Sequence, residues 1–409
     1  MSGARDDVVV TGLGAITPLG GNAATTWEAL LDGASGIRGD VLGTSRRADL
    51  APTAAGTMAV DPVTLLAPAQ ARRLDRSQQA ALVAAAEAWA DAGSPEVDPE
   101  RLVSVIGTGI GGVQTLLKEH EALASAGARR VSPRTVPMLM PNAAAAAVSI
   151  AYNARGGVYT PVSACSSGAE ALALGARLIR AGEADVVIAG GTEAAITPIT
   201  VAGFGQARAL SRFDGDPADA SRPFAADRSG FVLGEGAGVV VLESATHAQA
   251  RDARVRAVLA GAGIASDAHH MTAPAPDGAG QIAAMRAALR NAGVEPSLIS
   301  HINAHATGTS VGDAGEAAAI AEVFGRVTVT APKAAMGHLF GAAGAVEAIL
   351  AALSVQHGIV PPTRNISSGI DPEIDLDVPA VRRDAPQTAV LSNSFGFGGQ
   401  NVALVFTAA

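Results

Sequence analysis

The sequence predicts an α/β chain whose sheets are covered on both faces, and three observations carry that prediction. Short runs rich in Val and Ile recur along the chain, as suits strands buried on both sides. Ala-rich stretches several helical turns long separate them, and such alternation marks crossover connections. Glycines stand at many of the joints between the two kinds of segment.

The first strand is predicted at Val8-Val9-Val10, with a turn following at Thr11-Gly12-Leu13-Gly14. A helix over 27–31 stops at Gly33, a usual terminator. Another begins near Leu74 and runs through Ala-rich sequence to Ala92. Residues 103–106 read as a short strand ending in Gly107-Thr108-Gly109. A strand over 158–162 and a helix over 169–181 flank the one cysteine, Cys165. Strand 185–189 is closed by Gly190-Gly191, and strand 239–242 ends the first half. The second half repeats the alternation, with strands at 255–259, 301–303 and 327–330 and helices at 281–292, 314–324 and 344–354. Strands 389–392 and 402–406 close the chain. Two similar halves, 1–250 and 251–409, are expected, although periodicity alone does not establish a duplication.

Composition narrows the function. With 409 residues, 48% hydrophobic and 16% charged, the chain can bury a sizeable core. A net charge of −9 argues against general binding to nucleic acid or anionic membrane. Aromatic residues make up 3%, too few for base-stacking platforms. No run approaches the ~20 apolar residues needed to span a bilayer, and the polar stretch 1–7 holds no apolar signal region. A cytoplasmic protein is expected. One cysteine permits neither an intrachain disulfide nor a thiolate zinc cluster. Lysine occurs only at Lys118 and Lys333 in an otherwise Arg-based set of cations, which singles both out.

Four segments can carry chemistry. Cys165 lies in Val162-Ser163-Ala164-Cys165-Ser166-Ser167-Gly168, between a strand and a helix. A thiol at a helix N-terminus has its thiolate stabilised by unpaired N–H groups and the macrodipole; the bland alternative is an inert buried cysteine. His305 follows a strand in Asn303-Ala304-His305-Ala306-Thr307-Gly308-Thr309, where α/β sheets keep ligand sites; a solvated loop histidine is the competing reading. Lys333 and His338 share Ala331-Pro332-Lys333-Ala334-Ala335-Met336-Gly337-His338, ahead of a helix bearing Glu347. These three groups can tune one another's protonation, against the alternative of a Gly-rich turn with a surface lysine. Last, Asn393-Ser394-Phe395-Gly396-Phe397-Gly398-Gly399 is too glycine-rich for ordinary core. Phe397 between its glycines is either a packed plug or a movable aromatic gate.

Taken together and in this order, these segments resemble the β-ketoacyl-acyl-carrier-protein synthases, in particular the elongating type II synthases of dissociated fatty-acid synthesis. The resemblance runs from Val8-Val9-Val10-Thr11-Gly12-Leu13-Gly14 to the Phe-Gly loop near the end. It implies a thiolase-like fold, two related α/β halves in five alternating layers, assembled as a homodimer. It also implies that Cys165 accepts an acyl chain as a thioester. His305 and His338 would then stabilise the enolate formed as malonyl-carrier protein loses carbon dioxide, and the chain would lengthen by decarboxylative Claisen condensation. Backbone N–H groups of Cys165 and Phe397 would form the oxyanion hole, one such donor being worth about 3 kcal/mol of barrier. Lys333 would polarise the His site with Glu347 in its supporting network. Thr307 and Thr309 match positions that hold the pantetheine arm, Phe397 the gate, and Phe204 and Ile110 the acyl pocket. Arg72, Arg73, Arg129, Arg130 and Arg208 match the basic dock for an acidic acyl carrier protein, with ordinary solvated surface as the plain alternative. No cofactor is expected to bind tightly, since the carrier protein brings its own phosphopantetheine, and no metal is expected.

The chain departs from the family's usual pattern at Ala334 and Met336, where hydroxyl residues are common, at Ser229 before Gly230, and at Gly156-Gly157. Only the first two bear on chemistry, through contacts near Lys333. Among rivals, a thiolase needs a second cysteine, and a chain-length factor lacks the nucleophilic one; Cys165 standing alone opposes both. A polyketide ketosynthase shares the chemistry. A low-turnover homologue that sequesters an inhibitor is a further alternative, motivated by Ala334 and Met336 alone.

Overall fold

The computed structural model describes residues 7–42 and 54–409. Most of the polar amino-terminal stretch, 1–6, lies outside the described residues. Five strands come from the first part of the chain: β1 (Val8–Ile16), β2 (Leu102–Gly107), β3 (Gly157–Tyr159), β4 (Val186–Glu193) and β5 (Gly236–Ser244). Five follow from the second: β6 (Ala257–Ser266), β7 (Ile299–Asn303), β8 (Val329–Thr330), β9 (Ala389–Gly396) and β10 (Gln400–Thr407). The longer helices are α1 (Ala23–Leu31), α2 (Arg76–Asp91), α3 (Val113–Ala126), α4 (Ala143–Tyr152), α5 (Ser167–Arg180), α6 (Pro198–Gln206), α7 (Ala279–Ala292), α8 (Ser310–Phe324) and α9 (Ala343–His357).

The strands run β8-β7-β9-β10-β6-β1-β5-β4-β2-β3 across the sheet. Outward from β1 the pairings are antiparallel, antiparallel, parallel, parallel, and the same series runs outward from β6. The two runs join only where Val9 and Val10 meet Val258 and Ala257. Helices α5 and α9 pack against each other and touch strands of both runs, while α2 and α4 cover one outer face and α7, backed by α8, the other. The result is a helix–sheet–helix–sheet–helix stack. Helix α9 is buried along nearly all its length, Glu347 included, as a helix with apolar residues on every face must be. The segment Phe340–His357 is long and apolar enough to cross a membrane, yet 89% of it is buried within the fold.

Three expectations need correction. The predicted turn at Thr11-Gly12-Leu13-Gly14 is strand, with a register shift after Val10. Its glycines serve packing: a Cβ at Gly12 or Gly14 would lie 2.0 Å from the Ala88 or Ala84 carbonyl oxygen of α2. The same device carries β6 past its predicted end, because a Cβ at Gly261 or Gly263 would lie 2.3 or 2.0 Å from the Ala288 or Ala284 carbonyl oxygen of α7. Conversely β3 stops at Tyr159 instead of reaching Val162. Pro161, which has no N–H for the ladder, lies just beyond.

Candidate active site

The strand-to-helix joint ahead of α5 is a tight 3₁₀ turn, Ala164–Ser166, that presents Cys165. Ala164 takes φ +51°, a left-handed conformation that costs a non-glycine residue about 1–2 kcal/mol. Local bonds hold it there. Ser163 N–H donates to Ser167 Oγ at 2.9 Å, and Ser167 Oγ–H donates to the Ala164 carbonyl at 2.7 Å. Gly396 closes over the turn, leaving no room for a side chain beside Ser163 O and Ser166 Oγ.

His305 sits on the loop after β7, and its N–H donates to Glu316 Oε1 at 2.8 Å. His338 follows a short helix, Lys333–Met336. Cys165 Sγ and one ring nitrogen of each of His305 and His338 all lie within 4.8 Å of one another. The two imidazoles meet edge to face, with ring centroids 5.3 Å apart. His305 Nδ1 and both nitrogens of His338 have no hydrogen-bond partner among the described residues. Burial, then the nearby Lys333 ammonium, holds both histidines well below the usual imidazole range, and His338 adds to the effect on His305. They are neutral at pH 7.

Cys165 does not show the net thiolate stabilisation expected at a helix start. Burial pushes the thiol up to about 11, outweighing the Phe397 N–H, the Lys333 charge and its own N–H, all of which favour the thiolate. Lys333 Nζ donates to Glu347 Oε1 at 2.5 Å, both side chains buried. Burial raises the Glu347 carboxyl, and the ammonium pulls it back.

A cavity of about 560 Å³ opens onto the sulfur and both imidazoles. Thr307, Thr309, Phe397, Phe204 and Ile110 line it, as does Arg208. The two threonine hydroxyls are 3.1 Å apart. Phe397 is 41% exposed, so it stands in the opening and is not packed as a plug. Arg72, Arg73, Arg129 and Arg130 are exposed and lie outside the lining. Lys333 is buried behind the cavity wall, and Ala334 and Met336 beside it are likewise buried and absent from the lining. Ser229 and Gly230, by contrast, do line the cavity.

Residues 5–248 match the beta-ketoacyl synthase N-terminal domain, and residues 256–367 match the C-terminal domain. The chain belongs to the beta-ketoacyl synthase family. It is 45% identical over 403 residues to 3-oxoacyl-[acyl-carrier-protein] synthase 2 of Mycobacterium bovis, covering 98% of this chain and 96% of that one. It is 44% identical over 410 residues to the Staphylococcus aureus protein of the same name, covering 98% and 97%. A chain of the AntDE:AntF complex, a type II PKS acyl-carrier protein with its ketosynthase bound to the hexaketide, superposes with a TM-score of 0.90. That chain is 30% identical, with 99% of this chain and all of that one covered.

In this beta-ketoacyl synthase, three buried acids went unnoticed in the sequence. Glu316 takes the N–H groups of His305 and Ala306, at 2.8 and 2.7 Å, and the Asn393 amide at 3.1 Å. It thereby fixes the His305 loop, and burial raises it to about 7. Asp313 takes the N–H groups of Gly308 and Phe224, at 3.0 and 2.8 Å, and stiffens the Thr307–Thr309 turn. Glu193 ends β4 beside the cavity. The available signal was a charged residue inside an otherwise apolar or Ala-rich element, a placement that requires partners when buried.

Proposed function

We propose that this family member is a 3-oxoacyl-[acyl-carrier-protein] synthase that elongates acyl chains held on Cys165. One observation carries the reading: a thiol and two neutral imidazoles converge at one cavity. The thiolate attacks the acyl thioester of the carrier protein, the phosphopantetheine thiolate leaves, and the cysteine's proton goes to that leaving sulfur. Malonyl-carrier protein then enters. Its carbon–carboxylate bond breaks to release carbon dioxide, while His305 and His338 each offer an N–H to the forming enolate oxygen. The enolate carbon attacks the acyl carbonyl, Cys165 leaves and takes up a proton, and a 3-oxoacyl chain longer by two carbons departs. The N–H groups of Phe397 and Cys165 already face the sulfur, which supports their role as the oxyanion hole.

Thr307 and Thr309 would hold the pantetheine arm, and exposed Arg72, Arg73, Arg129, Arg130 and Arg208 would dock the acidic carrier. A homodimer belongs to the proposal. Its support is the exposed apolar set Val136, Ile150, Val158, Tyr159 and Val162, some of it on edge strand β3, since exposed apolar surface of this kind marks an interaction site. The matching strand pattern supports two related halves, 1–250 and 251–409. A reactive thiol suits a reducing compartment such as the cytoplasm. Higher identity to the two synthases named above than to the polyketide-complex chain favours fatty-acid elongation over polyketide assembly.

Wild type should transfer a radiolabelled acyl group from carrier protein to itself, and Cys165→Ala should lose the label. If wild type makes no 3-oxoacyl product from acyl- and malonyl-carrier proteins, the elongation reading fails. The pH dependence is a second check. Because both folded-state imidazole values lie well below the ordinary one, the neutral donors persist as pH falls. An NMR titration of the two imidazoles should therefore show neither ring taking up a proton between about pH 8 and 6, with no step near the usual histidine value of about 6.5.

A further inference from the structure

Glu193 is fully buried, yet it carries no role in the chemistry above. Four donors converge on its two oxygens. Thr108 Oγ–H and Ile110 N–H reach Oε1 at 3.2 and 3.3 Å, and Gly109 N–H and Gly341 N–H reach Oε2 at 2.6 and 3.2 Å. Thr108 Oγ in turn accepts Gly111 N–H at 3.1 Å, so the whole turn before α3 is built on this carboxylate. The oxygen that takes Gly109 N–H also holds the segment after His338, through Gly341 N–H. Gly341 follows Phe340, which takes φ +47° and lies 4.8 Å from the His338 ring and 5.4 Å from Phe204, centroid to centroid. Ile110 and Phe340 both line the cavity. One side chain therefore fastens two of its walls, and the fit is close: a Cβ at Gly341 would lie 2.4 Å from Gly109 N.

Resting on the reading of the cavity as an acyl site, we propose that Glu193 is a positioning residue that sets the acyl end and so decides which chain lengths are elongated. With four donors and both oxygens accepting, the group binds as a carboxylate, and no proton is needed to satisfy it. Burial raises it to about 7, so it is ionised in alkaline assays. Its charge also opposes thiolate formation at Cys165, while Lys333 favours it; His305 and His338 lie next to the sulfur, and Glu316, Asp313, Asp267 and Arg208 line the same cavity.

The test compares Glu193→Gln and Glu193→Asp with wild type on short and long acyl-carrier proteins. Iodoacetamide alkylation of Cys165 is followed across alkaline pH, and thermal unfolding is recorded for each variant. Gln presents an amide N–H to backbone N–H donors and should loosen the walls. Its kcat/KM for the longest chains should fall about tenfold or more, against about threefold or less for the shortest. Its alkylation profile should move to lower pH, because a neighbouring negative charge is gone. Asp restores the charge without the reach, so it should return the alkylation profile and not the chain-length profile. An E193Q ladder of rates parallel to wild type, or an unmoved alkylation profile with only a lower Tm, overturns the proposal. A wild type that makes no 3-oxoacyl product would instead sink the elongation reading itself.

Discussion

His338→Ala is expected to slow malonyl decarboxylation by about 10²–10⁴-fold, the usual worth of a positioned proton donor or acceptor, while Cys165 acylation stays within about threefold. The asymmetry follows from where His338 stands. Its ring nitrogens have no partner among the described residues, and its ring lies edge-on to His305 and next to Phe340. It does not hold the cysteine turn, which is fastened by Ser163, Ser166 and Ser167. The acyl-transfer step should therefore survive its loss. His305→Ala should behave alike, because its backbone remains tied to Glu316 through the main-chain N–H. Release of labelled carbon dioxide from malonyl-carrier protein reports one step, and label retained on the protein reports the other. Equal loss in both would contradict the division of labour between sulfur and imidazoles.

The sequence exposed the groups proposed to react more readily than their supports. Cys165, His305 and His338 stand in segments whose glycines and small residues are out of place in ordinary core, and the resemblance supplied their convergence. No spacing rule could have done so, since the groups come from the joint before α5, the loop after β7 and the turn before α9. Glu193 and Glu316 were invisible for the opposite reason. Each is one acid within a strand or an Ala-rich helix, and only the folded structure shows that backbone N–H groups from other elements converge on it. Gly12 and Gly14 illustrate the limit of local reading. Glycine pairs suggest a turn until the helix that presses on them is in view. The thiol likewise inverts a local rule. Its place at a helix start argues for an easy thiolate, and burial in the assembled site outweighs that.

The second large effect concerns the pair behind the site. Lys333→Met should destabilise the fold by about 3–5 kcal/mol at pH 8, the usual cost of leaving one member of a buried ion pair uncompensated. Glu347 Oε2 has no hydrogen-bond partner among the described residues, so the lysine is the main counterweight to burial. The loss should shrink as pH falls. Glu347 already lies above the ordinary carboxylate range because of burial, and removing the ammonium drives it higher. A raised folded-state value means that the variant's carboxyl takes up a proton on folding, so its stability is greatest at low pH and declines as pH rises through that value. Urea unfolding at about pH 8 and 5.5 should show a wide gap from wild type at the first and a narrow one at the second. Adding Glu347→Gln removes the orphaned charge and should recover part of the stability at pH 8, giving a coupling energy well above that of a surface pair. Such recovery need not restore activity, because the charge that helps keep both imidazoles neutral and favours the Cys165 thiolate would still be missing. If Lys333→Met unfolds like wild type at both pH values, the buried pair does not support the fold, and Lys333 does not work through electrostatics from behind the cavity wall.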